Sequence, residues 1–328
     1  MQVLTMAMTP ARAADVCTAA TRELIEARFE VRWASEAFDA AELAQLAAGS
    51  DVLVTSWGTP HLDTALFTGP GAPTVVAHAA GSIKWLLEPE VLHGGVTVFS
   101  AGTRIAWNVG EYCLATTLAS LRRLPEFDAS LRGGAWQPEG LRGRELFGRR
   151  VGIIGASSTA RAFIELLKPF RCQVAVYDPF LSPERAEQLG VTRGTLEEVV
   201  RADIVSIHVP DLPATEGMVT AELLASMPDG ALLVNSARGA AVDTAALERE
   251  LAHGRLRAVL DVFPIEPMVL SAQLPAPANA LLTPHIAGDT IEGHAALAGY
   301  VLEDVLQWLD HGTLGASHVN PASLAFTA

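Results

Sequence analysis

The sequence predicts an α/β protein built from two units, each a parallel sheet covered by helices. Three observations carry this. Short β-branched runs alternate with longer Ala/Leu/Glu-rich segments, the pattern of strands and crossover helices. A long helical stretch and a glycine-containing loop interrupt the alternation once, and it then resumes at Arg150. The length, 328 residues, is more than one small core accommodates.

In the first hundred residues the strand candidates are "QVLTM", "FEVRWA", "DVLVTS", "PTVVAHA" and "VTVFSA". Between them "DAAELAQLAAGS" reads as a helix stopped by Gly49. A long helix is expected from Arg104 to Leu124, with Arg104, Asn108 and Glu111 at helical spacing and no proline before Pro125. "RGGAWQPEGLRG" reads as a surface loop. The second set of strands is "RVGIIG", "QVAVYD", "IVSIHV", "ALLVNSA", "AVLDVF" and "ALLTPH". Six strands in this order suggest a complete dinucleotide-binding sheet, so the first unit is the smaller. "TIEGHAALAGYVLEDVLQWLDHG" reads as one last helix.

Composition narrows the function classes. Half the residues are hydrophobic and 18% are charged, which excludes a disordered chain. The 37 acidic and 23 basic side chains leave a formal net charge of −14, a surface that repels nucleic acid and anionic membranes. Neither is expected as a partner. Cys17, Cys113 and Cys172 are widely spaced and form no Cys/His ligand cluster, so no disulfide framework and no metal site are expected. The N-terminus lacks a basic leader followed by an apolar core, and apolar runs are broken well before membrane-spanning length. The expectation is a soluble cytoplasmic protein.

The stretch "VGIIGASSTAR" runs from an apolar strand into a small-residue turn and a helix. A dinucleotide site wants G-x-G-x-x-G there: one glycine for the tight turn, one for close approach of the pyrophosphate, one for helix–strand contact. The three slots hold Gly155, Ser157 and Ala160. Phosphates would sit on the free N–H groups of the helix start, and the hydroxyls of Ser157, Ser158 and Thr159 are candidates to donate to them. The other reading of Ser157 is that its Cβ holds a cofactor off. The next strand ends at Asp178, 23 residues after Gly155, close to the offset of about 20 for an acid that binds the adenosine ribose. The alternative for Asp178 is a carboxylate capping its own "DP" turn. A carboxylate there also repels a 2′-phosphate, and no arginine follows it directly, so NAD is expected over NADP.

Three further strand ends each present polar groups where open α/β sheets place ligands. "LLVNSARG" delivers Arg238, "AVLDVFPIEP" delivers Asp261 and Glu266, and "LLTPHIAG" delivers His285. Singly, each has an ordinary explanation: Arg238 pairing with Asp243, Glu266 on a solvated loop, His285 as a structural histidine. Together they are the parts needed to reduce a 2-keto acid. A guanidinium holds a carboxylate through two parallel hydrogen bonds and polarises the adjacent carbonyl. An imidazole exchanges the proton that accompanies a hydride, and a neighbouring carboxylate orients it.

The blocks "GRRVGIIG", "YDP", "HVP", "NSARG", "DVFPIEP" and "TPHIAG", in order over about residues 148–290, resemble the D-isomer-specific 2-hydroxyacid dehydrogenase family. The resemblance implies two Rossmann-like or flavodoxin-like domains with parallel sheets flanking a cleft, the chain crossing the hinge twice. Residues 1–103 plus 288–328 would form the substrate-binding domain, and 104–287 the NAD-binding domain. It implies that Arg238 binds the substrate carboxylate and carbonyl, that His285 is the acid/base and that Glu266 is its partner. Asp178 would hold the ribose and Asp261 would meet the nicotinamide carboxamide. His208, Val209, Pro210, Ala237 and Gly288 would line the cofactor site. From the residues alone, His208 reads as a buried strand histidine.

The N-terminal region matches more loosely. "VAHAAGSIKWL" resembles the family's carboxylate-binding glycine loop, which places Ala80 and Gly81 there. "SWGTP" puts Trp57 at the pocket wall, although Trp57 and Trp85 are equally readable as core residues. "NVGEY" carries Gly110 where the family usually has alanine. The implied activity is hydride transfer between NAD(H) and a small D-2-hydroxy or 2-keto acid, by a homodimer. An NAD(H)-binding sensor or corepressor, or a formate- or phosphite-type oxidoreductase, would use the same scaffold.

Overall fold

The computed structural model describes residues 1–268 and 279–323. The chain divides into two compact units, Met1–Ile105 with Asp289–Ala328, and Ala106–Gly288.

In the first unit, β1 (Val3–Ala7), β2 (Glu30–Trp33), β3 (Val52–Thr55), β4 (Val75–His78) and β5 (Thr97–Ser100) form a sheet in the order β2-β1-β3-β4-β5. Every pairing is parallel, with Leu4 opposite Val52 and Val54 opposite Ala77. β3 and β4 are buried along their whole length. That is why both read as unbroken apolar runs, since a parallel sheet covered on both faces has no polar side. One face packs on Leu297, Ala298, Val301, Leu302 and Val305 of the helix Leu297–His311, spaced three and four apart along a single stripe. Each such buried Leu or Val contributes about 1.5–3 kcal/mol of transfer free energy. The other face packs on Leu43, Leu62 and Val91. Helix Ala40–Ala47 starts on Asp39, whose carboxylate accepts from the Glu42 N–H, and ends just before Gly49, where φ is +75°.

The second unit holds β6 (Arg150–Ile154), β7 (Gln173–Tyr177), β8 (Thr192–Arg193), β9 (Ile204–Ile207), β10 (Leu232–Asn235), β11 (Arg257–Leu260) and β12 (Ala280–Leu282). They pair in parallel in the order β12-β11-β10-β9-β6-β7-β8. The chain winds one way from β6 to β8 and the other way from β9 to β12. The reversal between β6 and β9 is where doubly wound sheets bind their ligands. β8 raises the expected six strands to seven. It has only two residues, both exposed, and so leaves no apolar signature.

Two helix boundaries differ from the sequence reading. The long helix spans Gly102–Leu121, and Pro125 lies in the first turn of a second helix, Leu124–Arg132, rather than ending the first. Proline lacks only an N–H that a first turn leaves unpaired anyway. The last helix is two, Ile291–Ala295 and Leu297–His311, parted at Ala296. Gly110 has a packing reason: a Cβ there would lie 2.9 Å from Ala162 Cβ and 3.1 Å from the Phe163 nitrogen, so helix Ser158–Leu167 crosses at backbone contact. Among the described residues no helix is long and apolar enough to cross a membrane.

Candidate active site

The site in the second unit is built on the carboxyl ends of β10, β11 and β12. β10 ends on Asn235, whose side chain folds over the turn that follows. Its Nδ2 donates to the Arg238 carbonyl at 2.8 Å, and its Oδ1 accepts from the Ala237 N–H at 3.1 Å. Arg238 leaves this turn about one-third exposed (34%), with Nη1 donating to the Ala237 carbonyl at 2.6 Å. Asp243 is not its partner, because that carboxylate caps helix Thr244–Ala252 through the Ala246 N–H. Gly239 is forced by close approach: a Cβ there would stand 2.1 Å from the Phe263 carbonyl carbon. The Arg238 turn therefore lies directly against the loop that carries Glu266.

β11 runs into Asp261, which is fully buried. Its Oδ1 accepts from Thr283 Oγ1 at 2.6 Å and the Ile286 N–H at 2.8 Å, and its Oδ2 accepts from the Ala287 N–H at 2.8 Å. Its carbonyl accepts the His285 N–H at 2.8 Å. Tyr112 extends the cluster with its hydroxyl 2.5 Å from Thr283 Oγ1, and burial pushes that phenol up to about 12. His285 has φ +57°, a left-handed conformation that a side chain adopts only when its surroundings impose it. The Asp261 bonds on both sides of it do so. Asp261 thus clamps the His285 loop.

The outcome is a short contact: His285 Nδ1 lies 2.6 Å from Glu266 Oε2. Glu266 Oε1 accepts from the Phe263 N–H at 2.9 Å, which fixes the carboxylate plane. Partial burial pushes the Glu266 carboxyl up, but the bonds from His285 and Phe263 and the nearby Arg238 charge together outweigh it and hold it below the usual range. An ionised carboxylate only accepts, so Nδ1 carries the proton and Nε2 is the nitrogen left to exchange one. The imidazole is 55% exposed and Glu266 33%. Arg238, Glu266 and His285 are thus brought together.

The second feature lies where β6 ends. Gly155 has φ +95°, and a Cβ on it would be 2.7 Å from the His208 carbonyl oxygen, so this slot takes glycine alone. Ala160 is fully buried, and its methyl fits the third slot. Ser157 is the N-cap of helix Ser158–Leu167, yet its side chain makes no capping bond. Among the described residues the N–H groups of the first turn therefore have no side-chain acceptor, which suits an anion. Asp178 Oδ2 accepts from the Ala156 N–H at 2.7 Å and Oδ1 from the Phe180 N–H at 2.8 Å, so it both caps its own turn and braces the glycine turn. Beside it lies a cavity of about 540 Å³, lined by Val176, Tyr177, Asp178, Arg193, Thr195 and Leu196. These are the features that a dinucleotide with its adenosine at Asp178 requires. Of the other expected contacts, Val209 and His208 are buried. The Pro210 carbonyl accepts from Thr215 Oγ1, the Ala237 N–H is held by Asn235, and the Gly288 carbonyl accepts from Asn108 Nδ2.

In the first unit, Ser100 Oγ donates to the carbonyls of Ala80 and Gly81, at 3.3 and 2.5 Å. No hydrogen bond among the described residues uses the N–H of either residue. Trp57 is half-buried, with the Arg12 guanidinium 5.4 Å and the His294 ring 5.0 Å from its own ring. The sequence reading missed Asn235, Tyr112, Thr283 and Ser100. Only Asn235 left a signal, as a polar residue closing an apolar strand.

Comparison with known proteins adds a family. Residues 114–287 match the family model described as "D-isomer specific 2-hydroxyacid dehydrogenase, NAD binding domain". The chain is 33% identical over 294 residues to a D-3-phosphoglycerate dehydrogenase of Mycobacterium bovis, covering 89% of this chain and 55% of that one. It thus spans about half the length of the curated relatives it matches. Among solved structures, a D-lactate dehydrogenase from Sporolactobacillus superposes with a TM-score of 0.72 at 26% identity, over 98% of this chain and 99% of that one. A phosphoglycerate oxidoreductase from Rhizobium etli shares the fold, with a TM-score of 0.83 at 23% identity over 98% and 99%.

Proposed function

Because the chain belongs to the D-isomer specific 2-hydroxyacid dehydrogenase family, we propose that it interconverts a small 2-keto acid and the D-2-hydroxy acid, using NAD(H). The observation that carries this is the 2.6 Å contact between Glu266 and His285 beside Arg238. The Gly155–Ala160 turn and Asp178 would hold NAD(H), which would supply or accept the hydride. His285 Nε2 gives the proton to the carbonyl oxygen in reduction and takes it back in oxidation. Glu266 keeps Nδ1 protonated and the ring in one orientation, and it stabilises the imidazolium whenever His285 carries both protons. Arg238 grips the carboxylate with its planar fork. In the first unit, the N–H groups of Ala80 and Gly81, which no hydrogen bond among the described residues uses, suit a carboxylate.

NADH is preferred over NADPH, because Asp178 puts a carboxylate where a 2′-phosphate would lie. The protein works in the cytoplasm as a homodimer through the cofactor-binding unit, and a net charge of −14 gives it no attraction for nucleic acid. The test is NADH and NADPH consumption against 2-keto acids of graded side-chain size. Turnover of at least one keto acid, faster with NADH, is expected; no turnover with any of them refutes the reading.

A further inference from the structure

Ser157 stands in the slot where a dinucleotide turn places its second glycine, and it does not cap its helix. Its hydroxyl is drawn sideways instead. Ser157 Oγ lies 3.0 Å from Thr159 Oγ1, and Thr159 Oγ1 lies 3.0 Å from His208 Nδ1. The other ring nitrogen, Nε2, is 2.9 Å from Ser206 Oγ. His208 is 2% exposed and Ser206 fully buried. Both ring nitrogens are therefore committed to protein partners, and the half-exposed hydroxyls in the row are Ser157 and Thr159.

Burial pushes the His208 imidazole down to about 3, so the ring is neutral at physiological pH. A neutral imidazole donates through one nitrogen and accepts through the other. The row consequently has two proton orders. If Nδ1 carries the hydrogen, it donates to Thr159, Thr159 donates to Ser157, and the Ser157 hydrogen points out of the row. Nε2 then accepts from Ser206. If Nε2 carries the hydrogen, Thr159 donates to Nδ1, Ser157 donates to Thr159, and Ser157 offers only lone pairs outward. The first order favours an anion at the turn and the second repels one.

We propose that His208 is a positioning residue for the cofactor: through Thr159 it turns the Ser157 hydroxyl outward as a donor to the pyrophosphate, replacing the close backbone approach that a glycine would give. This rests on the NAD(H)-binding reading above. An anion at the turn selects the Nδ1–H form of His208, although His208 itself does not touch the ligand. The row also answers why serine is tolerated there, since a hydrogen bond to a charged acceptor is among the stronger kind.

The test uses ADP-ribose, adenosine and NADH as probes of the full chain. Thr159→Val keeps the β-branched shape and removes the hydroxyl; it should weaken ADP-ribose and NADH about tenfold, about 1.4 kcal/mol, and leave adenosine unchanged. Thr159→Ser should restore the loss. Ser157→Ala should cost about the same in the parent and nothing more in Thr159→Val, because the two hydroxyls act in series. In ¹⁵N spectra of labelled histidine, ADP-ribose should bring the His208 ring to the Nδ1–H tautomer. Unchanged ADP-ribose affinity in Thr159→Val overturns the proposal, as does equal weakening of adenosine or an Nε2–H tautomer in the complex. If the parent binds neither NADH nor ADP-ribose, the cofactor reading itself fails, and the proposal falls with it.

Discussion

Gly239→Ala puts the Arg238 turn and the Glu266 loop under a defined load. The new methyl would stand 2.1 Å from the Phe263 carbonyl carbon and 2.4 Å from its oxygen, whereas ordinary contact begins near 3.4 Å. One backbone must retreat by about 1.3 Å, and neither side of the contact is a flexible side chain. The retreat separates Arg238, one residue before Gly239, from Glu266, whose carboxylate bonds the Phe263 N–H. Overpacking of this kind costs about 1–3 kcal/mol of stability. A displacement near 1 Å between groups that must meet one substrate costs about a hundredfold in rate, or roughly 2.7 kcal/mol of barrier. The expected variant is folded, melts several degrees lower, binds NADH nearly as the parent does, and loses about a hundredfold in kcat/KM for its best keto acid. Steady-state kinetics, calorimetric NADH binding and a thermal melt read the three quantities. A kcat/KM within threefold of the parent would refute the reasoning that this contact sets the distance between Arg238 and Glu266.

Two other substitutions probe the substrate grip and the fold. Arg238→Lys should raise KM and lower kcat for keto acids, together more than about tenfold, because a point charge does not replace a planar fork; a change in neither, measured by steady-state kinetics, removes Arg238 from carboxylate binding. Glu126 Oε1 accepts from Arg257 Nη2 at 2.7 Å and Arg123 Nε at 3.2 Å, with the Glu126 and Arg257 side chains 10% and 17% exposed. Glu126→Gln leaves Arg257 without its counter-charge and should cost about 2 kcal/mol at pH 7, at the lower end for a partly hydrated pair. Burial pushes the Glu126 carboxyl up, but the bonds from Arg257 and Arg123 and the Arg257 charge hold it below its usual value. Its contribution is therefore present above the unfolded carboxyl value of about 4.3 and is lost as pH falls below that. The gap between denaturant melts of parent and variant should be full at pH 7 and shrink as pH falls below about 4.3; a gap that does not change with pH contradicts the assignment.

Strands such as β3 and β10 were legible because each is buried on both faces, and a run such as "VLVT" or "LLVN" has no other comfortable place. β8 was not, because it adds two exposed residues at an edge. Pro125 misled because proline ends one helix and begins another equally well, and the break at Ala296 carries neither glycine nor proline to announce it. In the site, Arg238, Glu266 and His285 stood out as polar residues just past apolar strands. The Asp261 clamp did not, because all three bonds to its carboxylate come from backbone N–H groups or a threonine hydroxyl of another strand end, and such bonds leave no pattern in the chain. The row from Ser157 to Ser206 was hidden likewise: it joins residues 49 positions apart across the β6–β9 reversal.

The most direct measurement of the central claim is His285→Ala assayed in two ways. Keto-acid-dependent NADH oxidation near neutral pH should fall to background, while NADH affinity by fluorescence or calorimetry stays within about threefold of the parent, roughly 0.7 kcal/mol. Turnover retained within about tenfold of the parent would contradict the assignment of proton transfer to the Glu266–His285 pair.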